Sequence, residues 1–244
     1  MGRKEGRMNA VCLTSGGLDS TTCMAIAKKE GRRIYALSIL YGQRHHHEIS
    51  ASKRVASYFK AEEHLIMEAG LGKIGGSSLT DLSRSIPTTS ILKEMDKGPS
   101  RPEPSSIPST YVPARNLIFL SLAVAWAEAI HAGEIFIGVN ALDYSGYPDC
   151  RPAFLEMFQK TAKIATKAGL IDGWDIRIRA PLLHMTKAEI IRTGLSLGVD
   201  YGITSSCYQP DTQGRPCGRC HSCQLRLKGF KEAGVPDPLI YQDT

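Results

Sequence analysis

The sequence predicts an α/β protein with a doubly wound, mostly parallel β-sheet and a small C-terminal region that contains a cysteine cluster. Apolar segments of strand length alternate with segments of helical periodicity, as in parallel sheets with helical crossovers. Several predicted strands lead directly into polar loops, where open sheets of this kind bind ligands. Four of the seven cysteines lie between residues 207 and 223. We expect the α/β domain to cover residues 8–200 and the cysteine region to cover residues 201–244.

Length and composition agree with one globular domain and a small appendage. The chain has 244 residues, 42% of them hydrophobic and 22% charged, with a net charge of +6. This charge suits phosphorylated ligands and does not require nucleic acid. The basic first residues are not followed by the apolar segment of a secretory signal, and the longest apolar run, 117–127, is too short to span a membrane. We expect a cytoplasmic protein without membrane attachment.

The predicted elements alternate along the whole chain. Short apolar runs predict the strands, and Ile176 and Ile178 show the alternation of a half-buried strand. The helix from 116 is apolar nearly all round, so we expect it to be buried. The predicted strands are 10–13, 33–40, 64–67, 134–139 and 175–180, and the predicted helices are 21–29, 48–58, 116–131, 152–167, a helix after Thr186, and 224–233.

A loop of small residues, Ser15–Ser20, separates the first strand from the first helix. Its glycines let the backbone approach phosphate oxygens, and the helix N-terminus attracts an anion. The Walker A lysine and the three spaced glycines of a dinucleotide loop are both missing. Asp19 would repel phosphate unless it held a cation, so we interpret it as a Mg²⁺ ligand or as a residue that orients the loop. The simpler alternative is a glycine turn without a ligand.

Polar residues also follow the second strand. Gln43 and Arg44 lie just past its predicted carboxyl end, where ligands bind in open sheets. The three histidines at 45–47 point in different directions, so they cannot all chelate one ion. We expect one of them to lie near the phosphates. The segment 70–110 is rich in Gly, Ser, Thr and Pro, which predicts a lid or mobile insertion that is partly helical at 77–86.

Two cations occupy predicted helix N-termini, where a positive charge is unfavourable unless an anion lies nearby. Arg115 stands at the start of the long apolar helix and needs a carboxylate or a bound nucleotide as partner. Lys187 follows Thr186, which forms a predicted capping box with Glu189. We interpret Lys187 as a phosphate contact and Arg115 as a ligand contact.

The loop after the fourth strand, residues 140–152, is rich in acidic and aromatic residues. Carboxylates there can accept hydrogen bonds from a guanine-like edge, and tyrosine rings can stack on a flat base. Asp143 and Asp149 are the candidate acids, and one of them could instead hold Mg²⁺. The alternative is an ordinary connection to a helix, since Asp and Pro are common at helix starts.

The four clustered cysteines have the spacing C-x9-C-x2-C-x2-C: Cys207, Cys217, Cys220 and Cys223. Four thiolates on short loops form a closed tetrahedral site, which is typical of structural Zn²⁺. An iron–sulfur cluster is the alternative, because C-x2-C-x2-C also occurs in ferredoxins. We favour zinc, since no Cys-Pro follows. We interpret the other three cysteines as small apolar residues of the core.

The segment SGGLDS resembles the loop of the N-type ATP pyrophosphatases, which cut ATP between its α and β phosphates and activate an acceptor as its adenylate. The resemblance implies an adenine nucleotide alpha hydrolase-like fold and an ATP site, with Mg²⁺, over 14–24. The implied ATP-binding residues are Thr14, Ser15, Gly16, Gly17, Leu18, Asp19, Ser20, Thr21, Thr22, Cys23 and Met24.

From residue 11 to 230 the chain resembles the 7-cyano-7-deazaguanine synthase family, through the segments SGGLDSTTC, YGQRH, YVPARN, GVNALDYSGYPDCR and CGRCHSC. Residues 87–109 carry little of this resemblance. It implies an ATP-dependent ligase that converts 7-carboxy-7-deazaguanine and ammonia into the nitrile through an adenylate and an amide, in queuosine precursor biosynthesis. It also implies a structural zinc and a homodimer.

Adenylation builds charge near the α-phosphate, which calls for fixed donors there. The candidate catalytic residues are Asp19, Ser20, Arg44, Arg115 and Lys187. The candidate substrate-binding residues are Gln43, Asn116, Asp143, Tyr144, Asp149 and Arg151. A tRNA-modifying ATP pyrophosphatase, such as a thiolation enzyme, shares the loop and the cysteines but usually needs an added RNA-binding region or a reactive thiol pair. A zinc-ribbon binding protein would leave SGGLDS and PARN unexplained, so we expect small-molecule substrates and no direct contact with nucleic acid.

Overall fold

The computed structural model describes residues 8–44, 47–88, 107–141 and 147–242. The strands of these ranges are β1 (Asn9–Leu13), β2 (Arg33–Leu40), β3 (Glu63–Glu68), β4 (Glu134–Phe136) and β5 (Arg177–Arg179). The helices are α1 (Leu18–Lys29), α2 (His47–Tyr58), α3 (Arg115–Ala129), α4 (Pro152–Ala165), α5 (Lys167–Ile171), α6 (Lys187–Ser196) and α7 (His221–Ala233). Within the described chain the strands form one parallel sheet in the order β3-β2-β1-β4-β5, which confirms the predicted fold class.

Strand β1 lies at the centre of the sheet, and all five of its residues are buried. Val11 pairs with Tyr35 of β2 on one side and with Ile135 of β4 on the other. The chain therefore winds outward in one direction through β2 and β3 and in the other through β4 and β5. The carboxyl end of β1 is the point where the order reverses, and this is where open α/β sheets bind their ligands.

Alternate residues of β1 serve the two faces of the sheet, because successive side chains of a strand point in opposite directions. Ala10 and Cys12 belong to an apolar cluster with residues of α1, α2, α6 and α7. Val11 and Leu13 belong to a second cluster, with residues of α3 and α4. The helices thus cover both faces. Cysteines 12, 23 and 150 are buried in these clusters, as their interpretation as core residues requires.

Several element boundaries differ from the sequence prediction. Helix α1 begins at Leu18 instead of 21, because Gly17 takes the extended N-cap conformation. The predicted strand 134–139 stops at Phe136; a Cβ on Gly138 would lie only 3.0 Å from the Ser20 nitrogen, so the chain passes against the start of α1 there. The predicted helix 152–167 divides at Thr166, whose extended backbone ends α4 and whose hydroxyl caps α5.

Two further predictions about helices are wrong. Residues 77–86 form turns instead of a partial helix, since the side chains of Ser77 and Asp81 accept hydrogen bonds from nearby backbone N–H groups and compete with helix formation. Helix α3 is not buried all round: Leu117, Ser121 and Ala125 form an exposed stripe. Its buried face carries Leu120, Ala123 and Ala127. Among the described residues, no helix has the length and apolar character needed to cross a membrane.

Residues 201–242 are connected with one another through α7 and the tail that follows it. Arg226 on α7 is buried and donates two hydrogen bonds to Asp237, at 2.7 and 2.9 Å. It also donates to the Thr204 hydroxyl and to the Tyr201 carbonyl. Gln242 in turn donates its backbone N–H to the Pro216 carbonyl, inside the cysteine loop. The tail therefore connects α7, the 3-10 turn at 201–203 and the cysteine loop.

Candidate functional site

The loop after β1 packs closely against α2. Gly16 has a φ of +80°, and a Cβ there would lie 2.4 Å from the Ser52 nitrogen and 2.7 Å from the Ala51 Cβ. Its carbonyl accepts a hydrogen bond from the Ser205 N–H at 2.8 Å. Only glycine fits both this backbone conformation and this approach. The loop is therefore held between α2 and the segment that precedes the cysteine cluster.

Hydroxyl groups fix the shape of the loop from within. The Ser15 and Ser20 hydroxyls lie 3.0 Å apart, and the Gly17 N–H donates to Ser15 Oγ. Thr21 donates to the Gly17 carbonyl at 2.7 Å. The Leu18 N–H donates to Ser206 Oγ at 3.3 Å. Ser20 thus contributes to loop geometry, and a bound anion at Leu18 would compete with Ser206.

Asp19 and Lys187 form an ion pair beside this loop. The Lys187 ammonium lies 2.7 and 2.8 Å from the two carboxylate oxygens of Asp19. Both residues are at helix N-termini and both line the same cavity. The capping box of Thr186 and Glu189 is present, as predicted. Asp19 therefore holds the lysine side chain at the end of β1, next to the predicted phosphate site.

A cavity of ≈ 310 Å³ opens at the carboxyl ends of the central strands. Among the described residues, five helices begin at its wall, and each contributes at least one first-turn residue to the lining, among them Leu18, Glu48, Arg115, Lys187 and His221. Each helix N-terminus carries a partial positive charge and free N–H groups. The cavity is consequently suited to a polyanionic ligand, which is what the position of the loop predicts.

Arg115 lies at the start of α3 between two aromatic rings. Its guanidinium carbon is 5.9 Å from the ring centre of Tyr41 and 5.8 Å from that of Tyr147. Burial alone would lower the pKa of Arg115, but the nearby Tyr41, Tyr147 and Asp149 groups raise it, so the side chain stays charged. Both tyrosines also line the cavity, which gives this end aromatic faces and one cation.

Asp149 holds the start of α3 from outside the cavity lining. Its Oδ2 accepts the backbone N–H of Asn116 at 2.9 Å, and its carbonyl accepts the Asn116 side chain at 3.3 Å. Within the described residues its buried Oδ1 has no hydrogen-bond partner. Burial raises the pKa of Asp149, while the Asn116 N–H and Arg115 counteract this effect. Asn116, which does line the cavity, is thereby fixed in position.

The structure does not bring all the predicted site residues together. Gln43 lines the cavity and accepts the Tyr41 N–H at 2.9 Å. Arg44 turns toward residues 78–84 and donates to the carbonyls of Ser78, Asp81 and Arg84. Arg151 is exposed at the N-cap of α4. The predicted residues Asp143 and Tyr144 lie outside the described residues, as do two of the three histidines, His45 and His46.

The cavity also contains residues that sequence reasoning missed. Glu48 lines it from the first turn of α2, and burial raises its pKa to about 7, with Arg115 acting in the opposite direction. An acid in a first helical turn is common, so its position gave no signal. Ser206, just before Cys207, and Tyr208, just after it, also line the cavity, and their spacing in the sequence carried no motif.

The cysteine cluster is a closed, buried site. Its four sulfur atoms, from the predicted residues Cys207, Cys217, Cys220 and Cys223, all lie within 4.8 Å of one another. The Cys217 and Gln209 N–H groups donate to the sulfur of Cys207, each at 3.2 Å. Hydrogen bonds from the neighbouring thiols lower the pKa of Cys220. The cluster could hold a metal ion, and its four sulfur donors fit tetrahedral coordination without an open position.

Fold and loop together define the class of this protein: an α/β protein with a loop of small residues and a helix N-terminus at the switch point of a parallel sheet. The model of the family described as queuosine biosynthesis protein QueC matches residues 9–234, so the chain belongs to this family.

Curated relatives support the assignment over nearly the full length. The 7-cyano-7-deazaguanine synthase of Azoarcus sp. (strain BH72) is 54% identical over 96% of this chain and 96% of the relative. The corresponding protein of Kineococcus radiotolerans is 55% identical over 96% and 97%. A 4-thiouridine synthetase–RNA complex with bound ATP aligns less well, at 15% identity and a TM-score of 0.45, over 93% of this chain and 50% of that one.

Proposed function

We propose that this protein is an ATP-dependent ligase that converts 7-carboxy-7-deazaguanine and ammonia into 7-cyano-7-deazaguanine, in queuosine precursor biosynthesis. The names of its curated relatives support this reaction. The observation that carries the proposal is the loop after β1, which opens with the Asp19–Lys187 pair into a cavity lined by five helix N-termini. The family match disfavours the alternative of a tRNA thiolation enzyme.

The chemistry explains why ATP is needed. Ammonia does not displace oxide from a carboxylate, but it can displace AMP from an acyl adenylate. The first activation gives the amide, and a second activation of the amide oxygen followed by its loss leaves the nitrile. Charge on the α-phosphate and its leaving groups grows during each transfer, so fixed donors at that position act mainly in the transition state.

Lys187 and Arg115 are the side chains that we assign to this role, because both are cations on the cavity wall. Of the predicted ATP-binding residues, those on the cavity wall would bind ATP, with Ser20 maintaining the shape of the loop: Thr14, Ser15, Gly17, Leu18, Asp19 and Ser20. Residues 21–24 are buried in α1, and neither they nor Gly16 line the cavity. Arg44 would act indirectly, since its guanidinium fixes residues 78–84. Asn116 and Gln43 would contact the deazaguanine, and Asp149 would orient Asn116. We propose Asp143, Tyr144 and Arg151 as further contacts of the base.

We propose that the four clustered cysteines hold one structural Zn²⁺. Their closed, buried geometry leaves no position for a reacting water, so the metal would stabilise the loops that carry Tyr208 and the start of α7. Mg²⁺ would accompany ATP and neutralise phosphate charge, with Asp19 as the nearest described carboxylate of the loop. We further propose a cytoplasmic homodimer that acts on small molecules and does not bind nucleic acid directly.

One incubation tests the reaction. Purified protein is mixed with ATP, ¹⁵N-ammonium and 7-carboxy-7-deazaguanine, and the products are identified by mass. We expect the amide first and then the nitrile, each with one ¹⁵N atom, together with AMP. An ATP analogue with a methylene bridge between the α and β phosphorus atoms should give neither product. If the wild-type protein binds ATP but forms neither amide nor nitrile, the proposed reaction is wrong.

A further inference from the structure

Two carboxylates line the cavity within the described part of the chain, Asp19 and Glu48. They differ in their partners. Asp19 has the Lys187 ammonium on both oxygens. Glu48 accepts no hydrogen bond and forms no ion pair with any described residue, although it is half-buried. A buried carboxylate without a donor is costly, which makes such a group a functional candidate when it faces a cavity.

The position of Glu48 is fixed by the fold. It stands in the first turn of α2, the helix whose next turn packs on Gly16 of the phosphate loop. Tyr41, at the end of β2, and Arg115, at the start of α3, interact electrostatically with it. Glu48 therefore shares one end of the cavity with the cation and the aromatic rings, apart from the Asp19–Lys187 pair.

The proposed reaction requires a group that accepts protons, and this inference rests on that reaction. Near neutral pH most ammonia is present as ammonium, which has no lone pair with which to attack. When ammonia does attack the adenylated carbonyl carbon, a C–N bond forms and the nitrogen carries a positive charge. The nitrogen must lose one proton before the C–O bond to AMP breaks and AMP leaves with the bonding electrons.

We propose that Glu48 is a catalytic residue that accepts this one proton from the nitrogen of ammonia after it has attacked the carbonyl carbon; the carboxylate becomes the neutral acid, and AMP leaves with the bonding electrons. The adjacent Arg115 forms no ion pair with Glu48, so the carboxylate oxygens can accept the proton. Asp19 is a poor alternative, because Lys187 contacts both of its oxygens at 2.7 and 2.8 Å.

The ionisation of the surrounding groups agrees with this role. Burial raises the pKa of Glu48 to about 7, opposed by Arg115. Burial also raises the pKa values of Tyr41, Tyr147 and Tyr208, which keeps these cavity residues neutral. Arg115 remains charged. The other titratable groups on the cavity wall are the Asp19–Lys187 pair, His221, Cys150 and Arg226. A base works best when its pKa lies close to the operating pH.

The test measures two steps separately in Glu48→Gln: adenylation of the carboxylate substrate, and attack of the nitrogen on the adenylate. Carboxylate-dependent exchange of labelled pyrophosphate into ATP measures adenylation without ammonia. We expect this exchange to stay within about threefold of the wild type, while amide formation with ammonium falls on the order of 10²- to 10⁴-fold. Hydroxylamine is a weaker base than ammonia, so its nitrogen loses the proton to water more readily after attack, and the loss should be smaller with hydroxylamine as nucleophile. Glu63→Gln, an exposed acid at the start of β3, is the matched control.

The pH profile gives a second, independent measurement. For the wild type, kcat/KM for free ammonia should fall as pH drops below about 7, the pKa of Glu48. In Glu48→Gln this fall in kcat/KM below about pH 7 should be absent. The proposal would be overturned if Glu48→Gln lost pyrophosphate exchange and amide formation equally, or if the wild-type kcat/KM did not fall below about pH 7. The wild-type pH profile alone tests the proposal if the variant does not fold. Active wild-type enzyme with a fully active variant contradicts only the role of Glu48, whereas inactive wild type contradicts the reaction itself.

Discussion

At the scale of single residues, Lys187 connects two elements that are distant in sequence. Its ammonium reaches from the start of α6 to Asp19 at the start of α1. A cation at a helix N-terminus is unfavourable by itself, and Asp19 offsets this cost. The sequence predicted that Lys187 needs an anion, but no pattern in the sequence could show that a carboxylate of the same chain already supplies one.

Lys187→Ala should lower the rate of adenylation about 10²- to 10³-fold, because a fixed donor at the developing phosphate charge is removed. Carboxylate-dependent pyrophosphate exchange measures this step. Lys29→Ala, an exposed lysine in the last turn of α1, is the control and should keep the wild-type rate. If Lys187→Ala exchanged pyrophosphate at the wild-type rate, the proposed role of Lys187 in adenylation would be wrong.

Glu48 also predicts how stability depends on pH. Its pKa is raised from 4.5 to about 7 in the folded protein. The folded state therefore binds this proton more tightly than the unfolded state, and the stability that it contributes is lost as pH rises from about 4.5 to about 7. The free energy of unfolding of Glu48→Gln should therefore rise relative to that of the wild type across this pH range. A shift of 2.5 pKa units corresponds to at most about 3 kcal/mol, and water in the cavity screens the charge and lowers this value.

Urea unfolding of Glu48→Gln and wild type between pH 4 and pH 8 measures this difference. The two curves should diverge with rising pH and run parallel above pH 7. Glu63→Gln should follow the wild type throughout. Parallel curves for Glu48→Gln over the whole range would contradict the raised pKa.

At the scale of elements, the conformation of the candidate phosphate loop, residues 15–20, depends on one glycine. Gly16→Ala combines a strained positive φ with backbone contacts near 2.4 Å in α2. Gly31 has a similar φ, +77°, but no atom within 4 Å of an added Cβ. We expect Gly31→Ala to cost about 1–2 kcal/mol from strain alone, and Gly16→Ala about 1–3 kcal/mol more, with loss of ATP affinity.

Thermal unfolding and ATP titration of both glycine variants distinguish strain from packing. Gly31→Ala should bind ATP as the wild type does, since its turn lies after the far end of α1. Equal losses in the two variants would show that the contact with α2 has no effect on the loop.

The sequence predicts most of the elements because apolar periodicity reports burial in strands and helices. It fails where side chains compete for the backbone, as in the turns of 77–86, and where tertiary contact ends a strand, as at Gly138. The exposed stripe of α3 was missed because apolar composition alone does not show which face is covered.

The residues of the candidate site likewise fall into those that local motifs predict and those that depend on tertiary contacts. Motif spacing identifies the candidate phosphate loop, residues 15–20, and the four cysteines, whose proposed chemistry needs short, local spacing. It does not find Glu48, or the indirect position of Asp149, because these depend on which elements meet at the cavity. The ion pair of Lys187 spans 168 residues, and no local pattern encodes a contact of that length.

At the scale of the whole molecule, the Arg226–Asp237 pair joins α7 to the tail. Their side chains are only 3% and 5% exposed. Asp237→Ala leaves a buried arginine without its carboxylate, so we expect a loss of about 3–5 kcal/mol in the free energy of unfolding. Glu156→Gln breaks the exposed pair with Lys160 and should cost less than about 1 kcal/mol. Urea unfolding compares them, and similar losses would contradict the importance of burial.

The cysteine cluster should determine whether the C-terminal region folds. Cys220→Ala removes one of the four proposed zinc ligands, and structural zinc contributes on the order of 10 kcal/mol to small modules. We expect insoluble or zinc-free protein, measured by solubility and metal analysis. Cys23→Ala, a buried thiol of α1 outside the cluster, should keep wild-type zinc content. Soluble, fully active Cys220→Ala protein would contradict a structural metal.

The central place of β1 has a consequence for the order of assembly. Its pairing with β2 joins residues about 24 positions apart, as in Val11 with Tyr35, whereas pairing with β4 joins Val11 to Ile135. Closing the longer connection is entropically harder, so we expect the β1–β2–β3 half to form first. The proposed ATP site would then be complete only after β4 and β5 have joined the sheet. ATP should accordingly slow unfolding while leaving the early refolding phase unchanged.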